Sequence, residues 1–160
     1  SVNAHTLYVS YWARLSANWQ GGGIHKQFYA YSNHASMYLD LYGMGSAQLE
    51  VQIAGQDILA GGAGFGDASN PDWTPKLAAA RVGRNVWYHV EVLLAGNSDG
   101  KADGSVDWYL NGVHVGSHSG IQWSSTATVW NRVHFTNLWN GGTVPNTQTL
   151  DFDDFYLSGR

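Results

Sequence analysis

LYVSYWARL, residues 7–15, carries an apolar side chain at every second position. A period of two places alternate side chains on opposite faces of an extended strand, whereas an amphipathic helix repeats about every 3.6 residues. The stretch therefore predicts a strand with one face in a core and the other face outside. The inner set is Leu7, Val9, Tyr11, Ala13 and Leu15, and the outer set is Tyr8, Ser10, Trp12 and Arg14.

The same alternation recurs along the rest of the chain. It covers residues 26–31, 37–42, 48–53, 86–94, 105–110, 132–137 and 151–157. Glycine-rich turn signals separate these stretches, and Asn111-Gly112 is the clearest hairpin. We therefore predict an all-β fold, a two-sheet antiparallel β-sandwich of the jelly-roll type. The only candidate helix, over 75–81, is too short to be stable unless the sheets support it, and residues 61–75 are expected to form a long loop that can include one helical turn.

Bulk composition narrows the function classes. The 160 residues fit one domain, so we expect a single β-sandwich domain over 1–160. A net charge of −4 and scattered Lys and Arg residues give no footprint for nucleic acid. The absence of Cys excludes disulfides and thiolate metal sites. No apolar run approaches the roughly 18 residues of a membrane span, so we expect no membrane insertion.

The outer parity of the strands is unusual for a surface. It combines aromatic rings with hydrogen-bonding groups, where Thr, Ser, Lys and Glu are the norm. Sugars need both, because rings stack on the C–H face of a pyranose and polar groups bind its hydroxyls. The alternative is packing, since Tyr and Trp suit a pleated surface. The predicted carbohydrate-binding residues are Tyr38, Asp40, His89, Glu91, Tyr109, Arg132, His134 and Trp139.

The tryptophans divide by position in the chain. Trp87 and Trp108 lie inside predicted strands, which indicates a packing role. Four others lie near loops, where we expect more exposure and hence candidate binding positions. These are Trp19, Trp73, Trp123 and Trp139.

Several segments resemble the concanavalin A-like lectin and glucanase superfamily. They are residues 7–15 with Asn18-Trp19, Trp87-Tyr88-His89-Val90-Glu91-Val92, residues 103–112, and Asp153-Asp154-Phe155-Tyr156-Leu157-Ser158. The resemblance is closest in style to the polysaccharide-lyase and laminin-G-like branches. It implies a sandwich that binds or cleaves glycans on its concave sheet, and some members serve as adhesion or virion surface domains.

The resemblance also allows the enzymatic branches to be compared. The Glu-x-Asp-x-x-Glu strand of the glucanases is absent, because Glu50 and Glu91 stand alone. The lyase branch uses a Tyr or His to remove a proton beside a uronate carboxylate, which an Arg, Asn or Gln neutralises. Its arginine-glutamate strand and Tyr-x-Lys segment are absent here. The candidates for these roles are His89 or His134 as base, Tyr29, Tyr38 or Tyr109 as acid or base, and Arg14 or Arg132 as carboxylate clamp.

One loop raises the question of a metal. Residues 97–104 carry oxygen ligands at alternate positions, and Asp99 and Asp103 are the candidate ligands for Ca²⁺. Lys101 stands where a ligand is expected, and no glutamate closes the loop. A hairpin turn built on two Asp-Gly pairs is the favoured interpretation. No other cofactor is indicated.

These observations lead to three functional hypotheses. The leading one is a non-catalytic, lectin-like module that binds a polysaccharide or cell-surface glycan, with enzymatic activity disfavoured. The second is a polysaccharide lyase with a Tyr or His base on the same face. The third is a structural surface domain, such as a virion decoration or fibre component that contacts other subunits. All three place the protein outside the cell or on a cell or virion surface.

Overall fold

The computed structural model describes residues 2–62, 69–73, 75, 78–140 and 146–160. Over these residues the chain forms eleven strands. They are β1 (Thr6–Leu15), β2 (Gly21–Ser32), β3 (Ser36–Gly45), β4 (Leu49–Gln56), β5 (Asp72–Trp73), β6 (Arg81–Val82), β7 (Trp87–Ala95), β8 (Gly104–Leu110), β9 (Val113–Ile121), β10 (Trp130–Trp139) and β11 (Leu150–Gly159).

The strands form two antiparallel sheets. The five-stranded sheet has the order β11-β1-β7-β8-β9, and the six-stranded sheet has the order β10-β2-β3-β4-β5, with β6 also paired to β4. Every predicted stretch lies in one of these strands, and β8 and β9 meet at the expected Asn111-Gly112 turn. The prediction of a two-sheet antiparallel β-sandwich of the jelly-roll type is confirmed.

The core lies between the sheets and consists of the inward parity of both. Tyr11 of β1 makes edge-on ring contacts with Phe28 of β2 (5.8 Å) and Phe135 of β10 (5.3 Å). Both the Leu7 to Leu15 set and the Met37, Leu39 and Leu41 set are buried in one continuous cluster. Alternation in sequence therefore translates directly into burial.

The candidate helix over 75–81 does not form an α-helix in the residues that the structure describes. Ala78–Ala80 form a single 3₁₀ turn, and Arg81 and Val82 pair with Glu50 and Leu49 as a strand. A run this short cannot nucleate an α-helix, and pairing with β4 satisfies its backbone instead. Residues 63–68, 74, 76 and 77 of the predicted loop and helix lie outside the described residues. No helix in the described ranges has the length and apolar character to cross a membrane.

A bulge in β2 changes which residues face outward. Lys26 pairs with Asp40 and Phe28 with Leu39, so Gln27 is an extra residue in the ladder. Gln27 turns into the core, where its amide binds Tyr11 and Tyr88, while Lys26 turns to the outer face. Strict alternation would have placed Lys26 inside and Gln27 outside.

The predicted exposures of the tryptophans are largely wrong. Trp19, Trp73 and Trp123 are buried, because their indoles pack into the hydrophobic cluster between the sheets, and Trp73 belongs to strand β5. Trp87 is 37% exposed, since its side chain belongs to the outer parity of β7. Trp108 is buried as expected.

Candidate functional site

The predicted carbohydrate-binding residues do not share one surface. Four of them, Tyr38, Asp40, Arg132 and His134, have outward parity in the six-stranded sheet. Three others, His89, Glu91 and Tyr109, have outward parity in the five-stranded sheet, on the opposite side of the sandwich. The remaining one, Trp139, ends β10 and stacks on Trp19 at 5.5 Å. The expectation of a single continuous surface is therefore wrong, because parity reports a side of a strand and not the sheet that the strand joins.

Cross-strand pairing aligns the outer residues of the six-stranded sheet in two rows. In the first row His134 pairs with Tyr29, Tyr29 with Tyr38, Tyr38 with Ala54, and Ala54 with Asp72. In the second row Leu138 pairs with Lys26, Lys26 with Asp40, and Asp40 with Gln52. The outer face of the six-stranded sheet is thus formed by Lys26, Tyr29, Tyr31, Tyr38, Asp40, Gln52, Asp72, Arg132 and His134.

Three tyrosine rings form the centre of this outer face. The ring of Tyr29 lies 5.3 Å from that of Tyr38 and stacks on that of Tyr31 at 5.4 Å. Ala54 has no bulk above the sheet, so the Tyr38 hydroxyl passes over it and donates to Asp72 Oδ1 at 3.5 Å. Burial, followed by the charges of Asp72 and Asp40, raises the pKa of Tyr38 well above its ordinary value. Tyr38 is thus a neutral phenol, able to donate a proton.

Lys26 is a buried cation with aromatic neighbours. Its side chain is only 6% exposed, and its Nζ lies 4.2 Å from the ring centroid of Tyr38 and 5.3 Å from that of Tyr29. In the described part of the chain no carboxylate lies within ion-pair distance of this ammonium. Burying a charge without an ionic partner is costly, and cation–π contacts offset only part of that cost. The site therefore has an ammonium ready to bind an anion.

Asp40, beside Lys26, is completely buried, and neither carboxylate oxygen has a hydrogen-bond partner among the described residues. Burial, aided by the charge of Asp72, raises the pKa of Asp40 well above its ordinary value. The nearby amide of Gln52 and ammonium of Lys26 favour the charged form but are outweighed. Burial also raises the pKa of Asp72, against the opposing effects of Tyr38 and Lys26. Burial thus favours the neutral forms of both carboxyls. A neutral carboxyl offsets less of the positive charge of Lys26 than a carboxylate does.

Arg132 and His134 complete the outer face of the six-stranded sheet on β10. Both side chains are exposed, and the Arg132 guanidinium lies 4.1 Å from the ring centroid of Tyr31. His134 stands directly opposite Tyr29 in the strand ladder. The face thus combines cations with groups that accept or donate a proton.

The other lyase candidates lie on the five-stranded sheet and are occupied by their own neighbours. His89 stacks on Trp12 at 5.0 Å, with its Nε2 2.7 Å from Ser10 Oγ. Arg14 forms an ion pair with Asp151 at 2.8 Å. The ring of Tyr109 packs 4.9 Å from that of His114. His89, Tyr109 and Arg14 therefore cannot act together with Tyr38 or His134.

The candidate calcium ligands lie in the loop before β8. Asp103 accepts the backbone N–H of Ser98 at 2.7 Å, and this bond lowers the pKa of Asp103. Asp99 is exposed. Within the described ranges no group of three or more His, Cys, Asp or Glu is placed to hold a metal. The Asp103 contact closes the turn of a hairpin, and calcium binding stays a prediction.

Sequence reasoning missed two charged residues of this outer face, Lys26 and Asp72. Lys26 was missed because the bulge at Gln27 reverses its parity, although a lysine within an apolar run is itself a signal. Asp72 was missed because β5 has only two residues, too few to show alternation. Tyr29 was considered as a proton-transfer candidate but not as a binding residue. Gln52 was not among the predicted carbohydrate-binding residues.

Comparison with known proteins gives structural matches only. No protein-family model and no curated protein matches the chain. Among solved structures, one alginate lyase matches with a TM-score of 0.74 and 14% identity, over 97% of this chain and 70% of that one. The alginate lyase of a Chlorella virus matches with a TM-score of 0.70 and 14% identity, over 99% and 73%. The endo-β-1,4-glucuronan lyase of the fungus Trichoderma reesei matches with a TM-score of 0.62 and 13% identity, over 100% and 71%.

These matches overturn the leading functional hypothesis. We expected a non-catalytic lectin and disfavoured enzymatic activity, but the matching structures are polysaccharide lyases. The first lyase was also solved as a variant with one lysine and one tyrosine replaced by alanine, in complex with alginate tetrasaccharide. At such low identity the likeness establishes the fold. The chain has the jelly-roll β-sandwich fold of these polysaccharide lyases, in agreement with its resemblance to the concanavalin A-like superfamily.

Proposed function

We propose that the protein is a polysaccharide lyase that cleaves a uronate-containing polymer by β-elimination on the outer face of the six-stranded sheet. We call this surface the uronate face. The observation that carries the proposal is the Lys26 ammonium, which is buried against the rings of Tyr29 and Tyr38 and forms no ion pair with any described residue. An enzyme acting on long charged polymers would work outside the cell or on a cell or virion surface.

The chemistry of β-elimination explains why these residue types are needed together. A base removes the proton on the carbon next to the uronate carboxylate, and negative charge develops on that carboxylate. The electron pair then forms a C=C bond as the neighbouring C–O bond to the next sugar breaks. The leaving oxygen takes a proton. A cation that meets the carboxylate stabilises the developing charge, most strongly where water is excluded.

The uronate face has a group for each of these roles. Lys26 binds the carboxylate from within the sheet surface, and the exposed Arg132 adds positive charge at the open side. His134 is the base, since its imidazole is exposed and it stands opposite Tyr29 in the strand ladder. Tyr38 donates a proton to the leaving oxygen, because its phenol is protonated and lies between Lys26 and Tyr29 on the same face.

Two further observations support the proposal. The matching structures named above are lyases of alginate and of glucuronan, which are both uronate polymers. One of these lyases was solved in complex with alginate tetrasaccharide as a variant in which a lysine and a tyrosine were replaced by alanine. The net charge of −4 does not oppose an anionic substrate, because Lys26 and Arg132 supply positive charge on this face while burial favours the neutral forms of Asp40 and Asp72.

The test is a lyase assay on defined polymers. Alginate and glucuronan are incubated with the protein, and the unsaturated product is followed by its ultraviolet absorbance. We expect product from at least one polymer, and a loss of at least about 10²-fold in kcat/KM for Lys26→Met, which keeps the side-chain length but removes the charge.

The matched control is Lys101→Met, at an exposed position in the loop before β8, which should keep wild-type activity. Circular dichroism verifies that each variant is folded. Absence of unsaturated product from both polymers would refute the proposal, and so would full activity of Lys26→Met.

A further inference from the structure

The outer face of the five-stranded sheet carries a second aromatic surface. Trp12 of β1 pairs with His89 of β7, and Trp87 lies two residues from His89 on the same side, so the two indoles are diagonal neighbours. Each is 37% exposed. Together with Asp153 and Asp154 of β11 they line a shallow cavity, open to solvent, of about 270 Å³. This volume is close to the lower end of the range for ligand pockets.

Contacts on one side hold both indoles in place. The ring of Trp12 stacks on the His89 imidazole at 5.0 Å with an interplanar angle of 23°. The Arg14 guanidinium lies 5.0 Å from the ring centroid of Trp87. Each indole thus has a fixed orientation and still presents area to solvent. Fixed, partly exposed rings bind a flat apolar ligand surface with little loss of side-chain entropy.

The two carboxylates reach the cavity through an irregularity in β11. The pairing of β1 with β11 shifts between Ser10 and Trp12, so two residues of β11 oppose Tyr11 alone. Asp154 there has a φ of 49°, in the left-handed region that favours glycine. Asp153 Oδ1 accepts the Asp154 N–H at 2.8 Å. The bulge thus places two acidic side chains beside the indoles, at a conformational cost that glycine would avoid.

The charge of the cavity selects against the substrate of the opposite face. Arg14, the nearest cation, is already paired with Asp151 at 2.8 Å. No cation among the described residues forms an ion pair with Asp153 or Asp154. A polyuronate would be repelled here, whereas the hydroxyls of a neutral sugar can donate to both carboxylates.

We propose that Trp12, Trp87, Asp153 and Asp154 form an accessory site that binds an uncharged pyranoside chain. The indoles stack on the C–H faces of a sugar ring, and the carboxylates accept from its hydroxyls. The site lies across the sandwich from the uronate face and does not depend on lyase activity. It would hold the protein on a neutral polysaccharide that surrounds the uronate polymer.

The test is isothermal titration of the full chain with three neutral oligosaccharides: cellohexaose, mannohexaose and laminarihexaose. We expect at least one of them to bind with a dissociation constant of about 10⁻⁴ to 10⁻³ M. Trp12→Ala and Trp87→Ala should each weaken binding at least about tenfold. Asp154→Gly should also weaken binding while leaving the fold at least as stable, because glycine adopts a φ of 49° without strain.

Two control variants locate the site. Leu93→Ala changes a residue on the same strand and face with the same exposed fraction of 37%, and it should bind as the wild type does. Lys26→Met, on the opposite face, should also bind normally while it loses lyase activity. The proposal is overturned if none of the three oligosaccharides binds at millimolar concentration, if Trp12→Ala and Asp154→Gly bind like the wild type, or if Lys26→Met abolishes binding.

Discussion

Asp40 is a residue whose surroundings make its charge unfavourable. It is fully buried, and neither carboxylate oxygen accepts a hydrogen bond from the part of the chain that the structure describes. Its pKa in the folded protein is therefore raised above the 3.8 expected of an unfolded chain. Between these two values the folded state binds a proton that the unfolded state has lost. The free energy of unfolding must fall as the pH rises through this window.

Asp40→Asn should remove this penalty, because an amide of the same shape has no charge to desolvate. We expect the variant to exceed the wild type by about 1–3 kcal/mol at neutral pH, with the difference shrinking towards about pH 4. Urea unfolding across this pH range measures both quantities. A smaller slope from Asp72, whose pKa is also raised, should remain in the variant. An unchanged difference at both pH values would contradict this account.

Tyr38 and Tyr42 provide a matched pair for the proton-donor role. They lie four residues apart on the same side of β3, but Tyr38 is buried beside Lys26 whereas Tyr42 is 51% exposed. Tyr38→Phe removes only the hydroxyl, so kcat should fall by about 10²- to 10⁴-fold with little change in KM. Tyr42→Phe should behave as the wild type. Initial rates of product formation over a range of polymer concentrations separate the two parameters, and equal rates in both variants would exclude the role.

At the scale of the element, strand β9 packs closely against β8 and tolerates no side chain at Gly116. A Cβ at this position would overlap the indole of Trp108, which is itself buried and cannot move aside. The close approach of the two strands therefore depends on the missing side chain.

Gly116→Ala should lower the free energy of unfolding by about 1–3 kcal/mol, because the core must shift to admit the methyl group. Gly83→Ala is the control, since a Cβ there would meet only Val86, at 3.8 Å, on an exposed loop. Its stability should stay within about 1 kcal/mol of the wild type. Urea unfolding of both variants tests the comparison, and equal stabilities would show that the sheet adapts around Trp108.

Across the whole molecule, one hydrogen-bond chain joins the two sheets through the core. The Tyr11 hydroxyl donates to Gln27 Oε1 at 2.8 Å, and Gln27 Nε2 donates to the Tyr88 hydroxyl at 2.6 Å. All three side chains are buried. Gln27 comes from the six-stranded sheet and both tyrosines come from the five-stranded sheet. These hydrogen bonds therefore also stabilise the bulge at Gln27 that turns Lys26 outward.

Gln27→Leu should destabilise the fold by about 2–5 kcal/mol, because it leaves two buried hydroxyls without their partner. The triple variant Gln27→Leu, Tyr11→Phe and Tyr88→Phe should recover part of that loss, since no polar group is then left unsatisfied. Thermal or urea unfolding distinguishes the two variants. A triple variant less stable than Gln27→Leu would indicate that packing dominates over hydrogen bonding here.

The sequence by itself determined the strands, their inner and outer parity and the sandwich fold, because a period of two is a local property of each segment. Half of the predicted carbohydrate-binding residues, Tyr38, Asp40, Arg132 and His134, share one face. Only the tertiary structure decided that His89 belongs to the opposite sheet and that Gln27, not Lys26, enters the core. Both depend on pairing between strands distant in sequence, which alternation within one strand does not encode.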